Sequence, residues 1–408
     1  MSHLGTEKCL QGMTNHNATQ TEVVVIGGGY AGTLAANHLR QNPDIHITLV
    51  NPRPQFVQRI RLHQLAAGTG DATADYGTLL GDGIQLVVDN VTRIDAAART
   101  VQLASGGALD YDYVVYAVGS TGATPPSVPG VAEFAYQIAQ FEDAQRLRTA
   151  LDGLHPDAPV TVVGAGLTGV ETAAELAEQG HRVTLVCGGR LAPSLSDPGR
   201  RSVAKWLAKN GVVVLEADVV TEVRPHAVVF ADGAVRPSSV TIWTAGFGVP
   251  DLAARSGLRT DALGRLLTDE TLTSLDDDRI VAAGDSAAPS GQPLRMSCQA
   301  AGPLGAQAAK TVLSRIAGTE PAAVDQRFVA QCVSLGRSVA TFQLTHADDT
   351  PRRLYVGGRI GAAIKEAICK GTVDQLAKEA RKPGSYTWLK GGRNVAHRMP
   401  EPEVVANP

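Results

Sequence analysis

"TEVVVIGGGYAGTLAANHLRQNPDIHITLVN", residues 21–51, decides the fold of this 408-residue chain. Residues 23–26 are an apolar run of the kind that a parallel sheet buries on both faces. Gly27, Gly29 and Gly32 follow at once in GxGxxG spacing. Alanines and leucines then recur at helical intervals through Leu39, and residues 45–50 read as a second strand. A glycine turn between strand and helix brings backbone N–H groups and a helix N-terminus up to a pyrophosphate, so the stretch predicts a β-α-β dinucleotide unit. The pattern recurs in "PVTVVGAGLTGVETAAELAEQGHRVTLVCGG", residues 159–189, where Gly164, Gly166 and Gly169 fill the glycine positions about 137 residues downstream. Two such units predict two bound nucleotides. The alternative is a duplicated half that binds nothing.

Composition agrees with an enzyme of this class. The chain has 43 glycines, 44% apolar residues, 4% aromatics and a net charge of −3. So weak a charge argues against a protein that coats nucleic acid. No run of 18 apolar residues predicts a membrane-spanning helix, and the first 20 residues lack an apolar signal core, so they read as a disordered lead. Cys9, Cys187, Cys298, Cys332 and Cys369 form no CxxC pair, which weighs against a redox dithiol and a structural metal site. The cytoplasm is the default compartment.

Between the units, residues 86–120 read as short strands and turns that end in an apolar strand and Gly119. "TGATPPSVPG", residues 121–130, reads as a connector. A helix is expected over 200–210, followed by strands. "VTIWTAGFG", residues 240–248, is another strand-glycine element, carrying Gly246, and "RIVAAGDSAAP", residues 279–289, runs from a strand into Gly284 and Asp285. The helix that begins near Cys298 is expected to be interrupted around Pro303. Alternating apolar segments over 326–357 suggest a small β-containing domain, and the sequence past Lys382 reads as irregular.

The two glycine fingerprints, Gly119 closing a strand and "RIVAAGD" together resemble the two-dinucleotide-binding-domain flavoproteins, in particular the type II NADH dehydrogenase-like (pyridine nucleotide–disulfide oxidoreductase) family, without its dithiol. The resemblance covers roughly residues 21–375. It implies an α/β fold of tandem Rossmann-like FAD and NAD(P)H domains, the second inserted in the first, plus a small C-terminal α+β domain. The implied bounds are 21–150 with 265–325 for FAD, 151–264 for NAD(P)H, 326–380 for the C-terminal domain and 381–408 for the tail. By the same resemblance, Gly27, Gly29 and Gly32 hold the FAD pyrophosphate, and Asp285 contacts its ribityl–pyrophosphate part. The bland reading of Asp285 is a helix cap. Gly164, Gly166 and Gly169 face the nicotinamide dinucleotide. Glu171 lies near the nicotinamide, although a glutamate in a first helical turn is favourable without any such role.

The chain also departs from that family. Asn51, with Arg53 beside it, stands where an acidic residue usually meets the adenosine ribose, and an amide can still bond ribose hydroxyls. The matching place in the second unit reads "TLVCGGR", so Arg190 is a candidate partner for a 2′-phosphate and slightly favours NADPH. The family's Gln-Gln pair in the late helix becomes Pro303-Leu304 beside a retained Gln299, which puts a membrane quinone in doubt as acceptor. Cys298 is read as either flavin-facing or an inert buried thiol. Ile360, Ile364, Ala367, Ile368 and Leu376 form a modest stripe, read first as a domain or homodimer surface and second as a weak peripheral membrane contact.

"QRIRLHQLAAG", residues 58–68, occupies the place that passes the isoalloxazine in the family, which makes Arg59, Arg61 and His63 acceptor-side candidates. Helical spacing would put Arg59 and His63 on one face. His63 would carry a proton, and an arginine would stabilise anionic reduced flavin. Salt-bridged surface charges are the competing explanation. The expected function is an FAD-dependent NAD(P)H oxidoreductase that passes electrons to a quinone-like or other small organic acceptor. The alternatives are an FAD-dependent monooxygenase or tailoring enzyme acting on an organic substrate, and a redox-sensing flavoprotein that binds a partner.

Overall fold

The computed structural model describes residues 20–392, so Cys9, most of the expected lead and the end of the expected tail lie outside the described residues. The first sheet is parallel, with Ile84–Val88, Ile45–Asn51, Thr21–Ile26, Tyr113–Tyr116 and Ile280–Ala282 side by side. In chain order this is 3-2-1-4-5, the doubly wound arrangement whose crevice opens where the order reverses, beside the first strand. Helix α1 (Tyr30–Leu39) packs its alanines and leucines on this sheet and on a late helix described below.

Residues 58–68 form two short helical pieces, the second being helix α2 (Leu62–Ala67). The second sheet is also parallel and sets Val213–Leu215, Arg182–Val186, Pro159–Val163, Val240–Trp243 and Ala135–Tyr136 side by side. Its edge strand at Ala135–Tyr136 comes from residues ahead of 151, so this sheet recruits chain earlier than the expected bound. Helix α3 (Leu167–Glu178) follows the second glycine turn. The expected helix over 200–210 begins earlier, as α4 (Asp197–Lys209), because Ser196 caps it and Pro198 fits the first turn. An antiparallel pairing of Thr121 with Gly248 and Gly122 with Phe247 ties the outgoing and returning crossovers between the two sheets.

Helix α5 (Cys298–Ile316) corrects one expectation, for it runs unbroken through Pro303. Proline lacks the N–H that would bond the carbonyl of residue 299. Gln326 supplies the donor instead, its Nε2 lying 3.3 Å from Gln299 O. Ala330–Leu335, Val339–Thr345 and Pro351–Val356 form a small antiparallel sheet, across which helix α6 (Gly358–Arg381) packs. The buried face of α6 takes only Leu376 from the stripe. It carries Gly361, Lys365, Cys369, Leu376 and Glu379, whereas Ile360, Ala367 and Ile368 are exposed. Polar partners on neighbouring elements set the orientation of α6, overriding its weak apolar periodicity. After α6, residues 383–392 are irregular yet packed, with Tyr386 and Trp388 stacked at 6.1 Å.

Candidate functional site

Both glycine turns have the same construction. Gly27 has φ +100°, and a Cβ there would lie 2.4 Å from Ala117 O. Gly164 has φ +107°, and a Cβ there would lie 2.7 Å from Ala245 N. The third glycines, Gly32 and Gly169, pass so close to the carbonyls of Gly27 and Gly164 that a Cβ on either would reach 1.8 Å. The middle glycines differ in kind. Gly29 and Gly166 are exposed, and a Cβ on either would meet nothing within 4 Å. Each turn thus clamps its helix to its strand and leaves its middle glycine open toward a ligand. The second unit is no degenerate copy. These two cradles fit the two dinucleotides.

Around the first cradle, Gly28 N–H donates to Asn51 Oδ1 (3.0 Å), and Asn51 Nδ2 donates to Arg53 O (2.7 Å). Buried Tyr76 donates its hydroxyl to Gly28 O. Asn51 therefore braces the turn from within, a role beyond the ribose contact expected of it. Arg53 turns outward and pairs with Glu142, its Nε 2.6 Å from the carboxylate. Asp285 sits in a single turn just after Ile280–Ala282, at Gly284 (φ +70°). It does not cap the following helix, because Ser297 does. Instead Asp285 Oδ2 accepts from Ser120 Oγ (2.7 Å), one residue past Gly119 (φ +71°), and Arg59 Nη1 lies 3.5 Å away. Arg59 also donates to Ser120 Oγ (2.8 Å). The Asp285–Ser120–Arg59 group lies at the ends of the central strands of the first sheet.

Arg59 and His63 do not act as a pair. The short turn at Arg59–Arg61 sends Arg59 to the first sheet, while α2 turns His63 to the second. Arg61 grips Glu366 on α6 through both terminal nitrogens (3.2 and 2.8 Å) and also reaches Gln64. His63 is 4% exposed, with Nδ1 3.8 Å from Glu171 Oε2 and Nε2 without a partner among the described residues. Burial, then Lys365, Arg337 and Arg61, hold its pKa well below the ordinary value, which favours the neutral imidazole.

Glu171, in the second turn of α3 and not in the first turn as expected, is the hub of a seam between the second sheet and the C-terminal domain. Its Oε1 accepts from Ser334 N (2.9 Å) and from the Lys365 ammonium. Lys365, on the buried face of α6, is brought down to about 8 by burial. Sequence reasoning missed Lys365 and Ser120. A signal for the first was present: Lys365 in "GAAIKEAICK" is spaced four from both Gly361 and Cys369, the small residues on the buried face of the helix.

Cys298 and Gln299 lie in the first turn of α5. Burial pushes the Cys298 thiol up to about 11, so it is no thiolate. The Gln299 amide is engaged with the backbone, donating to Ala330 O (3.0 Å) and accepting from Val329 N (3.1 Å). Arg190 is exposed and ion-paired with Asp197, which also takes Arg200 at 3.0 Å. The carboxylate of Glu216 accepts from Leu191 N (3.3 Å) beside it. Gly246 (φ +83°) ends the strand-glycine element of the second sheet, with Ala123 Cβ 3.0 Å from where its own would be. Among the described residues, no group of three His, Cys, Asp or Glu side chains is arranged to hold a metal, and no helix is long and apolar enough to cross a membrane.

Comparison with known proteins agrees with this geometry. The family described as pyridine nucleotide-disulphide oxidoreductase matches residues 21–306. The NADH dehydrogenase-like protein Rv1812c of Mycobacterium tuberculosis is 32% identical over 325 residues, covering 72% of this chain and 80% of its own length. The type II NADH:quinone oxidoreductase Ndh of the same organism is 29% identical, over 74% of each chain. The sulfide:quinone oxidoreductase of Aquifex aeolicus shares the fold, with a TM-score of 0.76 at 21% identity over 89% of this chain and 93% of that one.

Proposed function

The chain belongs to the pyridine nucleotide-disulphide oxidoreductase family, and from that premise we propose that it takes hydride from NAD(P)H and delivers electrons to a quinone-like acceptor at the Glu171–Lys365 seam. FAD and a nicotinamide dinucleotide are its cofactors. The observation that carries the reading is the pair of matched cradles, each with one open glycine at the start of a long helix. Relatives named as NADH:quinone oxidoreductases support the choice of acceptor class.

Bound flavin supplies the electron-carrying chemistry; everything else is positioning by this chain. Gly27, Gly29 and Gly32 set one pyrophosphate on α1, and Gly164, Gly166 and Gly169 set the other on α3. Asp285 accepts from ligand hydroxyls while Ser120 and Arg59 fix its orientation. Lys365 Nζ holds the proton that accompanies electrons to a quinone, because burial has brought it near neutrality and Glu171 fixes its place. Arg190 already has a carboxylate partner and stands near Glu216, so NADH is favoured over NADPH. The cytoplasm is the compartment of this reading. A homodimer or a weak peripheral membrane contact would use the exposed Leu354, Ile360 and Ile368.

Anaerobic stopped-flow mixing of the flavin-loaded protein with NADH and with NADPH tests the reading. Rapid loss of flavin absorbance, then its return on addition of menadione, is expected. Flavin that stays oxidised with both nucleotides would overturn it.

A further inference from the structure

A cavity of about 420 Å³ lies between α6 and the hairpin that joins Ala330–Leu335 to Val339–Thr345. Its apolar lining comes from Val339, Ala340, Ala362 and Ala363. Its charged lining comes from Arg337, Arg359, Lys365 and Glu366. Two of these four charges are already matched: Glu366 by Arg61, and Lys365 by Glu171. Arg337 and Arg359 are not. Both are exposed, and among the described residues neither guanidinium has a carboxylate within ion-pair distance. The chain as a whole carries −3, so this local excess of positive charge runs against the sign of the molecule.

The backbone positions of the two arginines are set by the fold. Arg337 N–H donates to Glu178 Oε2 (2.6 Å), which fixes the hairpin turn to the end of α3. Arg359 lies in the first turn of α6, whose N–H groups have no side-chain cap and add a positive end to the same wall. The volume is in the lower part of the range for small-molecule pockets, enough for a two-ring molecule. A neutral lipid quinone accepts hydrogen bonds from the two guanidinium groups through its carbonyls but leaves their charge unmatched. A flat molecule bearing a carboxylate or sulfonate gains charge-assisted hydrogen bonds from both.

We propose that this cavity binds a small planar organic anion, seated on the alanine–valine floor with its acidic group between Arg337 and Arg359. The inference rests on the electron-transfer reading in one respect: Lys365 lines the cavity and touches Glu171, so the ligand sits where an acceptor would. The selected acceptors are then acidic, water-soluble quinones. The reaction is unchanged: the hydride of NAD(P)H and one proton convert quinone to hydroquinone.

Calorimetric titration of the flavin-loaded full chain with naphthalene-2-sulfonate and with neutral 2-naphthol separates the two parts. Neither probe is reduced, so binding is read alone. The sulfonate is expected to bind about tenfold more tightly at low salt, with the preference shrinking as salt rises. The double variant Arg337→Ala/Arg359→Ala is expected to abolish that preference, with 2-naphthol affinity changed less than about threefold. Both sites are exposed, and a melting curve checks that the variant is folded. Equal affinity for the two probes in the unaltered protein, or a preference that survives both substitutions, overturns the proposal. Steady-state turnover with 1,4-naphthoquinone-2-sulfonate and menadione then tests the parent reading. If the anion binds but neither quinone is reduced, the acceptor reading fails and the anion site stands. If both are reduced at similar kcat/KM, the selection of acidic acceptors fails, while the anion site stands or falls on the calorimetry.

Discussion

The protonation state of His63 is set by its surroundings in the folded chain. Burial comes first among the causes, and Lys365, Arg337 and Arg61 add to it. A base whose pKa falls on folding takes up protons more readily when unfolded. Its contribution to stability is therefore intact above about pH 6.5 and is lost as pH falls below that. His63→Gln removes this term. Urea unfolding at pH 7 and pH 5 is expected to show the unaltered protein losing up to about 1.4 kcal/mol per pH unit more than the variant over that window. Parallel pH profiles would show that His63 is not buried as described. Arg190 likewise changes meaning through a neighbour. Asp197→Asn frees its guanidinium, and the NADPH-to-NADH ratio of kcat/KM is expected to rise about fivefold, a shift of about 1 kcal/mol. A ratio that does not move would mean that Arg190 does not reach the ribose.

At the scale of elements, the glycine turns show what local sequence can determine. A turn's backbone angles and close approaches lie within a few residues, so GxGxxG between a strand and a helix specifies its own geometry. The two positions within one motif should nevertheless fail differently. Gly164→Ala places a side chain at φ +107° and 2.7 Å from Ala245 N, so the fold is expected to lose about 2 kcal/mol or more. Gly166 has φ −64° and open space before it, so Gly166→Ala should melt with the unaltered protein. Its added methyl stands where the nucleotide approaches, and KM for NADH is expected to rise about tenfold while bound flavin is retained. Thermal melts beside steady-state kinetics distinguish the two, and an unstable Gly166→Ala would contradict the geometry. Pro303 shows the opposite limit. Helical propensity predicts an interruption, yet the freed carbonyl of Gln299 finds Gln326 on a different segment. On α6 too, a buried face built from Lys365, Cys369 and Glu379 is invisible to apolar periodicity.

At the scale of the molecule, the tandem arrangement was readable because each unit announces itself, whereas the seams between units were not. They are polar and assembled from distant residues: Glu171 with Ser334 and Lys365, Arg61 with Glu366, and His38 with Glu379. The last of these makes the C-terminal segment part of the FAD-side layer. Glu379 has no solvent exposure and accepts from His38 Nδ1 (2.6 Å), Gly384 N (2.6 Å), Ser385 Oγ (3.0 Å) and Tyr386 N (2.6 Å). Burial alone would raise its pKa, but His38 and the backbone N–H groups outweigh it and keep the group a carboxylate. The same segment seats Tyr386 against α5, where a Cβ on Gly302 would come 2.4 Å from the hydroxyl. Glu379→Ala leaves one imidazole, one hydroxyl and two backbone N–H groups without their acceptor, a cost of about 3 kcal/mol. The strands of the first sheet make none of these contacts, so the loss should be local. Hydrogen exchange is expected to show faster exchange over 376–392 with protection kept over Thr21–Ile26, and Glu379→Gln, which still accepts one or two of the bonds, should fall between. Uniform loosening of the whole chain would mean that the C-terminal segment and the first sheet unfold as one unit, and the seam would not be the separable joint described here.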